Sequence, residues 1–593
     1  MKIGYRFHEP HSIGRKDEYK LKGSRSFSVS SQAILWTVYL GGILFLFITS
    51  LKAGTTMTER AKKFIEEHTR KVQPLELAAN IAWWNANISG KDDDFAKKEK
   101  AQNRLDEALA DHKIFAELKE LKTARDKGEI DDPITARGID VLYLMYLEKQ
   151  VDTNLLKKIA ELANKVEQKF NVFRPKVEGK EYSDSEVRKV LKHSSDSKLR
   201  QQMWQASKQV GAEVADTLKE LVKLRNEMAK SLGFKNYHVL QLYLNEQNGD
   251  EIIQLFDELD TLTREPFAKA KAEIDTKLAE KMNVKVDELM PWHYFDPFFQ
   301  ESPAVFAIDL DAPFAKTDIL GLCKQFYSGI GLPIDSVLAR SDLREKPGKS
   351  PHAFCTDIDR EGDVRVLANI VNNEYWMGTM LHELGHSVYS SKNIPHKIPY
   401  ILRSEAHILT TEGVAMQFER FSKSSLWLNK MGVEVENKKA FDEGAGKVRK
   451  NQLLIFSRWC QVMLRFEKGM YENPEQNLNQ LWWDLVEKYQ LLKRPPQRNA
   501  PDYASKIHIV NAPVYYHNYM MGQLFASQVH HALAHELYPN KPIDEVVYVG
   551  DPRVGKFMNE KVFAPGRTLN WKELTKFATG KPLSALAFSE DFK

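Results

Sequence analysis

Residues 380–420 read MLHELGHSVYSSKNIPHKIPYILRSEAHILTTEGVAMQFER, and the H-E-x-x-H run His382-Glu383-Leu384-Gly385-His386 near its start governs how the rest of the chain is read. The segment is predicted to be helical, which puts His382 and His386 one turn apart on one face. Two neutral imidazoles at that spacing hold one Zn2+, and Glu383 beside them can take a proton from water. The flanks carry helix signals: Asn372-Asn373 as a cap, Glu374 in the first turn, and Ser390-Ser391 to Pro395 as the stop. Gly385 is expected to leave room between the ligands. A catalytic zinc also needs a third protein ligand and one open position. Glu412, on the apolar-periodic segment that starts at Thr410, and Glu405, 19 residues after His386, both qualify. Spacing alone does not separate them.

Working outward, 593 residues exceed the usual size of a single core, so two lobes are expected. A formal net charge of +4 on so long a chain gives no basic field for nucleic acid, which is excluded as a partner. The three cysteines, Cys323, Cys355 and Cys460, form no C-x-x-C pair, so neither a disulfide framework nor a structural cysteine–zinc site is indicated. Residues 1–32 are basic on balance. Ala33–Leu51 follows with no charged residue, about long enough to cross a bilayer. Residues 33–52 are therefore read as a transmembrane anchor or a signal peptide, and residues 54–593 as a catalytic domain outside the cytoplasm, held to the membrane if the segment stays uncut.

From Thr55 to about Lys230 apolar residues recur at three- and four-residue spacing between charges, a succession of helices with solvated faces. A Pro- and aromatic-rich stretch, Pro291–Phe299, interrupts the pattern and is expected to brace a cleft. Pro351–Cys355 and Val364–Asn369 read as two short strands around the turn Asp359–Asp363, leading into the two-histidine helix. An edge strand there can pair with an extended peptide. Lys506, His508, Tyr515, Tyr516 and Tyr519 crowd into fourteen residues; tyrosine and histidine can donate to an oxyanion and Lys506 can hold a carboxylate. His531 and His535 repeat the four-residue spacing, but Pro539 stands where a further ligand would fall, so they are read as helix histidines.

Ordered motifs over most of Thr55–Lys593 resemble the angiotensin-converting-enzyme-like peptidyl-dipeptidases: AANIAWWNANIS, PHAF, LHELGH, LRSEAHILTTEGVAM, WWDLVEKYQ, KIHIVNAPVYYHNYMMGQLFASQVHHAL and PGRTLNWKELTKFATGKPLSA. The resemblance implies Glu412 as third zinc ligand with His382 and His386, and Glu383 as general base. It implies that His352 and Ala353 bind the peptide backbone, that His508 and Tyr519 contact the transition state, and that Lys506 and Tyr516, or Tyr515 if the register slips, hold the substrate's C-terminal carboxylate. It leaves the family's carboxylate-binding glutamine unplaced within Pro291–Gln300. Met416 stands where the family has an aspartate that orients a zinc histidine. Val486 and Asn518 replace its chloride-binding arginines, which puts chloride activation in doubt, and Pro351 replaces a cysteine.

The sequence is thus read as a mainly α, two-lobed helical zinc peptidase with a deep central channel and a small β element next to the zinc helix. One Zn2+ is its cofactor and short peptides are its substrates, from which it releases C-terminal dipeptides. The rivals are a thimet-like oligoendopeptidase, which cuts internal bonds, and a non-catalytic exported peptide-binding ectodomain.

Overall fold

The computed structural model describes residues 56–306 and 308–592, so the readings of residues 1–32 and 33–52 fall on a segment outside the described residues. No helix among the described residues is long and apolar enough to cross a membrane. The described chain is mainly α-helical, with two antiparallel two-stranded hairpins. The first hairpin, β1 (Lys176–Val177) and β2 (Lys180–Glu181), has no counterpart in the sequence reading, because two-residue strands leave no period-two pattern to detect. The second, β3 (Phe354–Asp357) and β4 (Val364–Leu367), pairs Phe354 with Leu367 and Asp357 with Val364. The Asp359 carboxylate accepts from the backbone N–H groups of Glu361 and Asp363 and sets the turn. The outer side of β4 bonds to Asp342, whereas β3 has β4 as its one strand partner among the described residues.

Local capping explains where the helices start. Thr56 and Glu59 form a capping box on the Met57–Ser89 helix, which Gly90 closes at φ +63°. Asn373 accepts from the Trp376 N–H at the head of the Glu374–Tyr389 helix, with Glu374 in its first turn as expected. The next helix, Ile408–Glu419, begins two residues before the predicted Thr410 because His407 caps it, Nδ1 accepting from the Leu409 N–H.

Two main clusters of apolar side chains hold the helices. The smaller joins the N-terminal helices, through Phe64, Leu118, Leu121, Leu142 and Tyr146, to Ile394, Ile401 and Leu402. The loop between the two site helices is thereby pinned to the first ninety residues of the described chain. Arg403 ties the same loop to itself, donating to the carbonyls of Ile398 and His396. The larger cluster holds the Glu374–Tyr389, Ile408–Glu419, Lys438–Glu472 and His517–Leu537 helices.

At the centre the Ile408–Glu419 helix lies between the Glu374–Tyr389 and His517–Leu537 helices, closer than side chains would allow. A Cβ on Gly385 would fall 2.8 Å from Ala415 Cα. Gly385 therefore makes room for the neighbouring helix, which corrects the expectation that it makes room between the ligands. A Cβ on Gly413 would meet the Gly522 carbonyl oxygen at 2.7 Å, and one on Gly522 would meet Glu412 Cβ at 3.1 Å. Gly385→Ala and Gly413→Ala are expected to destabilise the protein by about 1–3 kcal/mol each through overpacking. Gly446, inside the Lys438–Glu472 helix with nothing within 4 Å of an added Cβ, is the control. Gly446→Ala should be stabilising by roughly 0.5–1 kcal/mol. Denaturant midpoints check the pattern, and three variants of equal stability would refute the close-packing argument.

Candidate metal centre

The antiparallel run of the first two site helices brings three sequence-predicted groups together. His382 Nε2 and His386 Nε2 lie 3.1 Å apart, and Glu412 Oε2 lies 3.5 Å from the first and 3.9 Å from the second. These ligand atoms all fall within 4.8 Å of one another, the one such group of three among the described residues. Glu405 is not in it: it lies on the loop before the second helix, partly buried.

The far side of each ring is also held. His382 Nδ1 is 2.8 Å from Glu419 Oε2, and His386 Nδ1 is 2.8 Å from Thr411 Oγ1. Ring N–H groups that donate to Glu419 and Thr411 leave both Nε2 lone pairs directed at the same point as a carboxylate oxygen. Three converging electron pairs in a buried site repel unless a cation or proton sits among them. The donor set, two imidazoles and a carboxylate, is the chemistry of a zinc site, and the residues fit that ion.

Electrostatics agrees. Burial raises the Glu412 carboxyl's pKa, but both histidines outweigh it and bring it to about 2. Burial pushes His386 down to about 3, whereas Glu412 and Glu419 more than offset the burial of His382 and raise it. Glu383 is buried beside the cluster; desolvation raises its pKa, and its Oε2 has no hydrogen-bond partner.

A second cluster lies on the other side of the aromatic run. Lys506 Nζ donates to Gln300 Oε1 at 2.7 Å, and the Tyr516 hydroxyl is 3.4 Å from the same oxygen. Tyr516, not Tyr515, therefore joins Lys506; the Tyr515 ring packs 5.3 Å from Tyr519 instead. The rings of His508 and Tyr519 lie 5.3 and 5.5 Å from the Tyr516 ring, linking the two clusters. His508 Nδ1 and the Tyr519 hydroxyl are buried without a hydrogen-bond partner. Burial brings Lys506 down to about 8 and His508 to about 4, and keeps the Tyr519 phenol protonated.

Some expectations need adjusting. His352 and Ala353 precede β3 rather than lying in it, His352 exposed and Ala353 partly buried. Val486 is buried in the larger core, and Asn518 Oδ1 accepts from Gln247 Nε2 at 2.7 Å, so neither position places a cation. His531 Nδ1 lies 3.3 Å from Glu590 Oε2, and His535 belongs to no candidate metal group among the described residues.

Three residues escaped the sequence reading. Gln300 is aimed by Asp296, whose carboxylate accepts from the Phe298, Gln300 and Glu301 N–H groups, and by Phe299 in the left-handed region at φ +50°. Gln300 is the one glutamine in Pro291–Gln300, where the resemblance leads one to expect a carboxylate-binding glutamine, but nothing local in the sequence shows that its turn points at a lysine 206 residues away. Thr411 and Glu419 were legible only as neighbours of Glu412 on a helix.

The ligand assignment predicts metal contents. Glu412→Ala should abolish zinc retention and Glu405→Ala should leave most of it, measured by atomic absorption on purified protein. The reverse pattern would move the third ligand to Glu405.

A profile of the angiotensin-converting enzyme family matches residues 55–299 and 311–593. The chain is similar to the angiotensin-converting enzyme of Mesocricetus auratus, 22% identical over 415 residues, which cover 65% of this chain and 31% of that protein. It is similar to the angiotensin-converting enzyme of Theromyzon tessulatum, 20% identical over 581 residues and 91% of each chain. It is 24% identical over 319 residues to the angiotensin-converting enzyme-related protein of Drosophila melanogaster, covering 49% of each. The chain thus spans about a third of the length of the Mesocricetus protein and most of the Theromyzon one.

Proposed function

The chain belongs to the angiotensin-converting enzyme family of peptidases, and on that premise we propose that it is a zinc peptidyl-dipeptidase that releases C-terminal dipeptides from short peptides. The observation that carries this reading is the Gln300–Lys506–Tyr516 cluster, a buried ammonium with an amide and a phenol beside it, joined through aromatic rings to Tyr519. A peptidase that cuts at any internal bond has no use for a cation at one fixed end of its site. An enzyme that measures two residues from a free carboxylate does.

His382, His386 and Glu412 would hold the zinc, which when bound supplies Lewis acidity toward water and the scissile carbonyl. Glu383 takes the proton of the attacking water and returns it to the leaving amine; its burial keeps it a stronger base than an ordinary carboxylate. Tyr519 and neutral His508 bring unspent hydrogen-bonding atoms to the oxyanion. Loss of one such donor costs about 2.7–4 kcal/mol of barrier. Ala353 and His352, at the mouth of the unpaired edge of β3, receive the peptide backbone in extended form. Lys506 and Tyr516 hold the terminal carboxylate.

Residues 54–593 form the catalytic domain in this reading, its two lobes enclosing a central substrate channel. The uncharged Ala33–Leu51 places that domain outside the cytoplasm as an anchor or a signal. With valine and asparagine at 486 and 518, activity is expected to be independent of chloride.

Glu383→Gln should keep its zinc and lose turnover by about 10²–10⁴-fold, the usual worth of a general base. Mass spectrometry of digests should show successive loss of dipeptides from a decapeptide with a free C-terminus and little cleavage of its amide. Equal internal cleavage of both peptides would replace this reading with the oligoendopeptidase. The two peptides should also differ in pH dependence. A lysine whose pKa is lowered to about 8 is charged below that pH and neutral above it. KM for the free peptide should therefore rise as pH passes about 8, KM for the amide should show no such limb, and Lys506→Ala should abolish the difference.

A further inference from the structure

Met416 lies one turn after Glu412, where the family resemblance leads one to expect a carboxylate behind a zinc histidine, and a thioether cannot accept usefully from an imidazole N–H. Glu419 lies seven residues after Glu412, nearly two full helical turns, so the two carboxylates share a face. The antiparallel neighbour sets Thr411 against His386 and Glu419 against His382. The Glu419 stem passes close to Gly378, one turn before His382, where an added Cβ would lie at ordinary contact distance, 3.6 Å from Glu419 Cγ. The nearby ammonium of Lys423 is bonded to Glu374 at 2.7 Å, as is the Ser422 hydroxyl, and His382 is the hydrogen-bond partner of Glu419 Oε2.

We propose that Glu419 is the positioning residue of the metal centre, holding His382 with N–H at Nδ1 and its Nε2 lone pair toward His386 and Glu412. In this chain the orienting carboxylate stands one turn further along the helix and is longer by a methylene. The carboxylate is also more exposed than a buried aspartate would be: its side chain keeps 42% of its surface, against 3% for Glu412. Thr411 performs the same service for His386 with a neutral hydroxyl, so the two imidazoles are unequally basic, His382 being the stronger donor.

This inference rests on the zinc reading but not on the peptide specificity, and it is tested without substrate. The zinc dissociation constant of the purified full chain is measured by competition with a chromogenic chelator. Glu419→Ala should weaken zinc binding by about 10–100-fold, the usual cost of losing such a partner. Glu419→Gln, which keeps an acceptor without charge, should fall between. Met416→Asp added to Glu419→Ala should recover most of the loss, because it restores a carboxylate on the same face from the expected turn. In the cobalt-substituted protein, the visible bands should shift in Glu419→Ala and return in the double variant, a signature that a merely structural role would not produce. An affinity within twofold of wild type for both Glu419→Ala and Glu419→Gln would overturn the proposal. So would a double variant no better than Glu419→Ala. Failure of wild type to bind zinc would remove the zinc reading and this inference together, whereas failure to release dipeptides would leave the inference standing.

Discussion

The close approach of three helices is the constraint on which the rest of the site depends. Where Gly385 faces Ala415 and Gly413 faces Gly522, backbone meets backbone, and no side chain separates the layers. That contact fixes both the spacing and the rotation of the Ile408–Glu419 helix. Glu412, next to Gly413, is then carried to within 3.9 Å of both imidazole nitrogens from a separate helix. Helices packed on ordinary leucines stand 8–10 Å apart, with room for several rotational settings. A glycine-to-glycine crossing has far fewer, and this loss of freedom holds the three groups of the candidate metal site together.

A second constraint acts through the loop between those helices. Residues 390–407 would be a flexible connection if they packed only on themselves. Ile394, Ile401 and Leu402 instead enter the N-terminal core, and Tyr400 donates to Glu76 at 2.8 Å while Arg360 pairs with the same carboxylate at 3.2 Å. The N-terminal helices thus brace this segment across a long stretch of chain, Glu76 meeting Tyr400 across 324 residues. Changes in that core should be felt as a loosened site as much as lost stability, since the loop sets where the second helix starts.

How much of this could be read beforehand divides along the range of the interaction. Helix-local features were legible: the Asn373 cap and the two-histidine face follow from period and spacing, whereas Glu412 was separated from Glu405 only by the family resemblance. The mainly helical class was equally clear from the charge-and-apolar periodicity. Illegible features were those in which one side chain meets another across the fold. Gly385 carried a signal, but its neighbour Ala415 could not be named, so its role was misplaced. Gln300 required the turn set by Asp296, and Glu419 required knowledge that the helices run antiparallel. The strand boundaries at β3 moved by three residues because Pro351, which lacks an N–H, and exposed His352 fit the apolar pattern without joining the ladder.

The fold completes some buried polar groups and leaves others open. Several structural charges are closed on themselves: Arg458 with Asp260, Arg137 with Glu246, and Arg498 with Asp502 each join a cation to a carboxylate inside the protein. Unpaired, any of them would cost several kcal/mol. Some single polar atoms, such as Trp427 Nε1, stand without partners in apolar surroundings and point to nothing. Other open groups lie in the candidate metal centre and in the aromatic run beside it. Glu383 Oε2, His508 Nδ1 and the Tyr519 hydroxyl are all unspent, and the buried Lys506 ammonium bonds an amide oxygen and lies over the Phe298, Trp459 and Tyr516 rings, with no carboxylate in direct contact. Buried Arg200 and Arg225 likewise bond carbonyls, and Lys208 lies over an aromatic ring, without a carboxylate partner; what sets this region apart is that an acceptor, two hydrogen-bonding atoms and a cation lie in or beside one aromatic run. On the proposed reading, the ligand that would satisfy all four carries a polarised carbonyl at one end and a free carboxylate at the other.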